Sequence, residues 1–164
     1  MASNPLQRLF LGLCSLLSRI WSNGSDAKSA VKRPEVVERH ERVTRFIISR
    51  NHFTATRVKW NAFMPYDNPE SKRPETSTYR EVGLSTAQIW RLGREHVETP
   101  SRQIRARATG PAASIMDSGL SFDVNGPPSP IHADIIGWAA DKDERRQLAM
   151  EFVGSFQLEP APSR

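Results

Sequence analysis

Two short segments of this sequence contain the residues whose types and spacing are best suited to chemistry. In one, His52 is followed two positions later by Thr54, and in the other His132 is followed two positions later by Asp134. Residues two apart share one face of a strand, so each histidine and its oxygen-bearing partner would point into the same space. Two imidazoles across a cleft can act as general base and general acid near pH 7. The pattern therefore indicates phosphodiester cleavage without a metal ion, with the Thr54 hydroxyl orienting a phosphate oxygen.

The spacing of these segments resembles that of the two-histidine phosphoesterase family. Its motif, found twice, is a histidine, an apolar residue, a threonine or serine, and another apolar residue, and residues 52–55 and 132–135 are similar to it. Asp134 stands where the family has threonine or serine, and a carboxylate there would repel the phosphate. The resemblance implies an active site containing His52, His132 and Thr54. The alternative is that both histidines are structural, with His132 hydrogen-bonded to Asp134 or to the backbone.

Other catalytic and metal-binding signatures do not occur in the sequence. It contains no phosphate-binding glycine loop, no nucleophile elbow and no zinc-protease motif. Cys14 is the only cysteine, which excludes an intramolecular disulfide and any cysteine-based zinc cluster. The four histidines show no ligand spacing, and helix capping explains the acidic residues that begin at Asp141. We therefore expect neither a metal site nor a cofactor.

The charge of this basic chain is unevenly distributed. Residues 41–110 carry 13 arginines and lysines against seven acidic residues, whereas residues 111–164 carry four against eight. Arg105 and Arg107 alternate with apolar residues and predict a strand with a cationic exposed face, and Arg80 is a third candidate for binding an anion. The leading hypothesis is a non-enzymatic binding or accessory module that contacts nucleic acid or a protein partner through this region. The alternative is that the basic middle and the acidic end face each other within the fold.

A polar run at residues 75–80 leaves two further interpretations open. In a strand, Ser77 and Tyr79 face one side while Thr76, Thr78 and Arg80 face the other. Under a functional interpretation, Ser77 or Arg80 lines a pocket. Under a structural interpretation, which we favour at this point, the threonines pair across strands and the arginine is solvated.

The first 24 residues predict an N-terminal amphipathic helix. Apolar residues recur at helical spacing from residue 6 to residue 21, and the uncharged stretch is too short to span a bilayer. The helix either docks on its own domain or a partner, or contacts a membrane surface through residues 5–21, or is a signal peptide, which is the least favoured alternative. A membrane-tethered small protein is thus a third functional hypothesis. We expect a cytoplasmic location, with membrane association as the alternative.

Residues 36–156 predict one α+β domain, with a linker at residues 25–35 before it and a tail at residues 157–164 after it. Strands are expected at residues 43–49, 56–63, 76–80, 101–109, 119–124 and 131–138, with an exposed loop at residues 64–74. Two helices are expected to begin after the capping residues Ser85 and Asp141. This order predicts a small mixed or antiparallel sheet of five to six strands with two packed helices, preceded by the N-terminal helix.

Several segments resemble a family of small bacterial hypothetical proteins. They are SRNHF at residues 49–53, ETSTYR at residues 75–80 and HADIIGW at residues 132–138. The resemblance covers roughly residues 43–156 and leaves out the N-terminal helix. It implies a bacterial origin and a single domain, and it brings no activity with it.

Overall fold

An antiparallel β-sheet is the main element of the computed structural model, which describes residues 35–126 and 128–163. Within these residues the seven strands are β1 (Arg42–Ile47), β2 (Tyr66–Asp67), β3 (Pro74–Arg80), β4 (Ala106–Pro111), β5 (Ser121–Gly126), β6 (His132–Ile136) and β7 (Gln157–Pro160). The helices are α1 (Thr86–His96), α2 (Ala112–Asp117) and α3 (Lys142–Val153), with 3-10 turns at Arg50–His52 and Trp60–Ala62. The strand order is β5-β6-β3-β1-β4-β7, with β2 added beside β3. The α+β class with an antiparallel sheet is confirmed.

The two faces of the sheet bury different apolar clusters, because successive residues of a strand point to opposite faces. On one face, Phe46, Tyr79 and Ile131 pack with Ile89 and Trp90 of α1. The other face is covered by α2 and α3. Its cluster is made of strand residues and aromatic residues around α3, among them Val43, Ile47, Ala106, Ala108, Ile135, Phe63, Phe152 and Phe156. The sheet is therefore the middle layer between α1 and the other two helices.

The predicted helix starts at Ser85 and Asp141 are confirmed. The Ser85 hydroxyl accepts the Gln88 N–H at 3.4 Å, and the Gln88 side-chain oxygen accepts the Ser85 N–H at 2.8 Å, which completes a capping box. The Asp141 carboxylate accepts the N–H groups of Asp143 and Glu144 at 2.8 and 3.0 Å. Both signals are local, because the partners lie within three residues of the cap.

The strand predicted at residues 56–63 is wrong. The chain makes a tight reversal there, with Phe53 bridged to Val58 and a 3-10 turn at Trp60–Ala62. Ala62 and Phe63 are both buried although they are adjacent. A strand with one buried face would place adjacent side chains on opposite sides. The alternation of apolar and polar residues at positions 58, 60 and 62 therefore does not reflect a strand.

Three further assignments also change. The expected loop at residues 64–74 contains β2, whose Tyr66 lies opposite Glu75 of β3. The six-residue helix α2 follows directly on β4 and was not predicted. The expected tail at residues 157–164 contains β7, which pairs with β4 from Gln157 to Pro160, so the domain continues beyond Phe156. Each of these elements is short, and short elements depend on tertiary pairing more than on local propensity.

Two of the three arginines proposed to bind anions are buried in ion pairs. Arg80 has no exposed surface and donates from Nε and Nη2 to the two carboxylate oxygens of Glu41, at 2.7 and 2.5 Å. Burial raises the pKa of Glu41, but hydrogen bonds from Arg80 and from the backbone of Glu38 outweigh it and lower the pKa. Arg107 is 3% exposed and bonds to Glu81 and Glu159. Neither guanidinium is available to nucleic acid, which corrects the expectation of a cationic strand face.

The Arg80–Glu41 pair makes a prediction about stability. Replacing Arg80→Met leaves the Glu41 carboxylate buried without its main counter-charge, and we expect the free energy of unfolding to fall by about 3–5 kcal/mol. Arg105→Met is the matched control, because Arg105 is exposed, and we expect a change within about 0.5 kcal/mol. Urea unfolding of both variants measures this. A loss below about 1 kcal/mol in Arg80→Met would contradict a buried pair.

Gly93 makes a second prediction, because α1 approaches the sheet closely at this residue. A Cβ atom there would lie 2.5 Å from Cε1 of Phe46 and 2.9 Å from Cδ1 of Ile104. We expect Gly93→Ala to destabilise the fold by about 1–3 kcal/mol, since packed side chains must move. Gly154→Ala is the control: its Cβ meets nothing within 4 Å and its φ is −62°, so we expect no loss. Thermal or urea unfolding compares them, and equal stability of the two variants would contradict the close packing.

Candidate functional site

A cavity of about 910 Å³ lies on the α1 face of the sheet, beside the C-terminal end of α1. This volume is within the range of small-molecule sites, about 300–1,000 Å³. Its ionisable lining includes three histidines, two arginines and an aspartate: His52, His96, His132, Arg45, Arg102 and Asp134. The two histidines predicted from the sequence are therefore brought to one cavity.

Strands β3 and β6 supply the floor of this cavity. Tyr79 lies opposite His132, and Ser77 lies opposite Asp134, so these four side chains share one face of the sheet. The Ser77 Oγ is 2.5 Å from Nε2 of His132, and the Tyr79 ring packs edge-on against the imidazole at 5.1 Å. The Asp134 Oδ1 lies 3.6 Å from the same Nε2. The imidazole of His132 is thus held between Ser77 and Tyr79 of β3 and Asp134 of β6.

Arg45 fixes the junction between β1 and β3. The two strands pair at Val43 and Thr44 of β1. The next residue is Arg45, whose side chain bonds to the backbone of β3 and of the turn at residues 60–62. Arg45 donates from Nη1 to the Ser77 carbonyl at 2.7 Å and from Nε to the Ala62 carbonyl at 3.2 Å. The sequence analysis did not single out this residue. The available signal was a cation inside residues 43–48, which are otherwise all β-branched or aromatic.

The pKa values of both predicted histidines are lowered, which favours the neutral imidazoles. Burial lowers the pKa of His132 from its ordinary value of 6.5, Asp134 raises it, and the charge of Arg45 lowers it again, with a net lowering. Burial also lowers the pKa of His52, and the charges of Arg45 and Lys59 act in the same direction. One guanidinium therefore acts on the protonation of both imidazoles.

His52 reaches the cavity from a turn rather than from a strand. It ends the 3-10 turn Arg50–His52, and its carbonyl accepts the N–H of Lys59 at 2.9 Å. Thr54 is exposed, does not line the cavity, and uses its hydroxyl to accept the N–H of Arg57 at 3.1 Å. The chain reverses after His52, so the argument that placed Thr54 beside it on a strand face does not apply. This corrects the expectation of Thr54 as a phosphate-orienting residue.

The hairpin between β2 and β3 forms one wall of the cavity and is anchored by a buried carboxylate. Glu75, 1% exposed, accepts from Nδ2 of Asn68 and from Nε of Arg73, both at 2.7 Å. Arg73 also pairs with Asp123 of β5. Burial raises the pKa of Glu75, but hydrogen bonds from Ser71, Arg73 and Asn68 outweigh it and lower the pKa. This anchoring holds Tyr66, which is 48% exposed, at the cavity rim.

The arginines of the site differ from those predicted. Arg80 and Arg107 are buried in ion pairs away from the cavity lining, and Arg105 is exposed without lining the cavity. Arg45 and Arg102 line it instead. Arg102 is exposed in the connection between α1 and β4, a segment that had been expected to be a strand. Ser77 lines the cavity, as in the functional interpretation of residues 75–80, whereas the solvated Arg80 of the structural interpretation is wrong, because that side chain is fully buried.

The lowered pKa of His132 makes a prediction about pH dependence. As the pH falls through 6.5, the unfolded chain binds a proton on this histidine while the folded protein does not, so the free energy of unfolding decreases until the folded pKa is passed. We expect urea unfolding from about pH 8 to about pH 5 to show this loss, and His132→Gln to show a shallower decrease. Parallel pH profiles for the two proteins would contradict the lowered pKa.

Among residues 35–126 and 128–163, no group of three or more histidine, cysteine, aspartate or glutamate side chains is placed to hold a metal ion. No helix in that part of the chain is long and apolar enough to cross a membrane. The predicted N-terminal helix and its membrane contact through residues 5–21 lie outside the described residues. Comparisons with protein-family models, curated protein sequences and solved structures found no match for this chain.

Proposed function

We propose that this protein cleaves a phosphate ester in the cavity, by acid–base catalysis that needs no metal ion. One observation carries the proposal: His52 and His132, 80 residues apart in sequence, line one cavity together with Arg45 and Arg102. Two imidazoles that line one concave site and have lowered pKa values favour a role in proton transfer near pH 7. Guanidinium groups match the geometry and charge of phosphate oxygens.

The charges of the cavity favour a ligand with a localised negative group. Arg45 is held in place by two backbone carbonyls, and Arg102 adds a second positive charge. Asp134 is buried beside His132, and its negative charge also acts on Arg45 and on the hydroxyls of Tyr66 and Tyr79. Glu70 and Arg102 also line the cavity, and both are exposed, so solvent and salt screen their opposite charges alike. A phosphate would therefore bind best beside the fixed guanidinium of Arg45, with Arg102 as a second, solvent-exposed contact.

The two histidines have different surroundings and hence different proposed roles. His132 lies beside Asp134, whose carboxylate stabilises an imidazolium, so His132 is the proposed general base. Burial lowers the pKa of His52, and the charges of Arg45 and Lys59 lower it further, which favours the neutral form in the free protein. A bound phosphate would raise the pKa of His52, because a nearby negative charge favours the protonated form. His52 is then the proposed general acid that protonates the leaving oxygen.

The nucleic-acid hypothesis loses most of the residues on which it depended. It was based on Arg80, Arg105 and Arg107, and two of these three are buried in ion pairs with carboxylates. Arg105 is the one of these three that stays exposed. We therefore prefer the enzymatic proposal to the non-enzymatic module.

The proposal is tested by assaying the protein with p-nitrophenyl phosphate and bis(p-nitrophenyl) phosphate in the presence of EDTA. We expect turnover of at least one of them. His52→Gln and His132→Gln are each expected to lower kcat by about 10²–10⁴-fold, the usual contribution of a general acid or base. His40→Gln is the matched control, because His40 is exposed and does not line the cavity, and it should keep wild-type activity.

The arginines provide a separate test of phosphate binding. Arg102→Met should raise KM, or weaken competitive inhibition by inorganic phosphate, by about tenfold, which corresponds to one charge-assisted contact. Arg105→Met, which replaces an exposed arginine outside the cavity lining, should leave KM and the inhibition by phosphate unchanged.

Full activity in a protein carrying both histidine substitutions contradicts the proposal. Absence of both turnover and phosphate binding in the wild type also contradicts it.

A further inference from the structure

Ser77 differs from the two threonines of β3 that flank it. The side chains of Thr76 and Thr78 are buried and donate to backbone carbonyls, those of Phe63 at 2.8 Å and Ala133 at 2.6 Å. These hydroxyls satisfy backbone groups of the fold. Ser77, between them, points to the opposite face, is half-buried in the cavity wall, and bonds to a titratable side chain, Nε2 of His132.

The Ser77–His132 contact has the geometry of an activated nucleophile. With the imidazole neutral and its proton on Nδ1, Nε2 accepts the Ser77 hydroxyl proton across 2.5 Å. Asp134 lies 3.6 Å from the same nitrogen, so it stabilises the imidazolium that forms rather than orienting the ring through Nδ1. This differs from the serine-protease triad, in which serine and aspartate bond to different nitrogens of the ring.

The backbone at Ser77 is also held in place. Its strand is paired with β6 at this position, opposite Asp134, and its carbonyl accepts from Nη1 of Arg45 at 2.7 Å. The same arginine lines the cavity. A hydroxyl on a central strand, next to a base and to a fixed guanidinium, is prepositioned for attack on an anionic ester.

We infer that Ser77 is the nucleophile of the proposed reaction and forms a covalent phosphoseryl intermediate. This rests on the proposed function. The Ser77 Oγ attacks phosphorus as its proton passes to Nε2 of His132, and the bond from phosphorus to the leaving alcohol oxygen breaks as His52 protonates that oxygen. Water then attacks the phosphoseryl group, giving its proton to His52. The Ser77 oxygen leaves phosphorus and recovers its proton from His132, so the enzyme is regenerated and the net reaction is hydrolysis.

The test uses the full chain with the p-nitrophenyl ester that the wild type turns over. Rapid mixing should show a burst of one p-nitrophenol per protein if hydrolysis of the phosphoseryl group is slower than its formation. Mass spectrometry of acid-quenched protein, or of protein treated with a reactive p-nitrophenyl alkylphosphonate, should place the phosphorus adduct on Ser77. Ser77→Ala should lower kcat by at least about 10³-fold and take no adduct. Ser155→Ala, an exposed serine outside the cavity lining, should match the wild type.

The outcomes separate this inference from the proposed function. If Ser77→Ala keeps a tenth or more of wild-type kcat while the His52 and His132 variants are inactive, Ser77 is not the nucleophile and water attacks directly, with the proposed function intact. An adduct on any residue other than Ser77 also overturns the inference, and it does so on wild-type protein, independently of whether a variant folds. If the wild type neither turns over the esters nor binds phosphate, both the function and the nucleophile are overturned.

Discussion

The guanidinium of Arg45 is the interaction on which the site depends. Through two hydrogen bonds it joins β1, the central strand β3 and the turn at Trp60–Ala62, by way of the carbonyls of Ser77 and Ala62. A charged hydrogen bond to a backbone carbonyl is stronger than a neutral one, so these contacts fix both the strand junction and the wall of the cavity. The same charge lowers the pKa values of His52 and His132. Arg45 thus holds the strand junction in place and, together with burial, lowers the pKa values of the two histidines.

Arg80 and Arg107 belong to the fold rather than to the site. Arg80 is neutralised by Glu41, and Arg107 by Glu81 and Glu159, and Arg107 also lies 5.4 Å from the Trp90 ring centroid. Glu159 comes from the acidic end of the chain and Arg107 from its basic middle. This pair is an example of the internal charge pairing that was the alternative to a nucleic-acid surface. Counting charges along the sequence could not distinguish the two, because burial depends on which strands become neighbours.

The elements that were predicted well are those defined by local interactions. The helices that begin after Ser85 and Asp141 have caps whose partners are at most three residues away. β1 and β3 carry runs of β-forming residues, and β6 lies in a largely apolar segment. The failures are elements defined by distant partners. Strand β7 exists because it pairs with β4, and residues 56–63 turn because Phe63 packs into the core against the Phe152 and Phe156 rings. No local pattern contains that information.

The sequence by itself determined the α+β class, the two capped helices and the choice of His52 and His132 as the residues most suited to chemistry. These follow from residue type and short-range periodicity. Only the tertiary structure decided that the two histidines share a cavity, that Arg45 and Ser77 belong to it, and that Thr54, Arg80 and Arg107 do not. The physical reason is the strand order. Because β3 lies between β6 and β1, residues that are far apart in the sequence meet at the cavity. This strand order depends on long-range pairing that no single segment encodes.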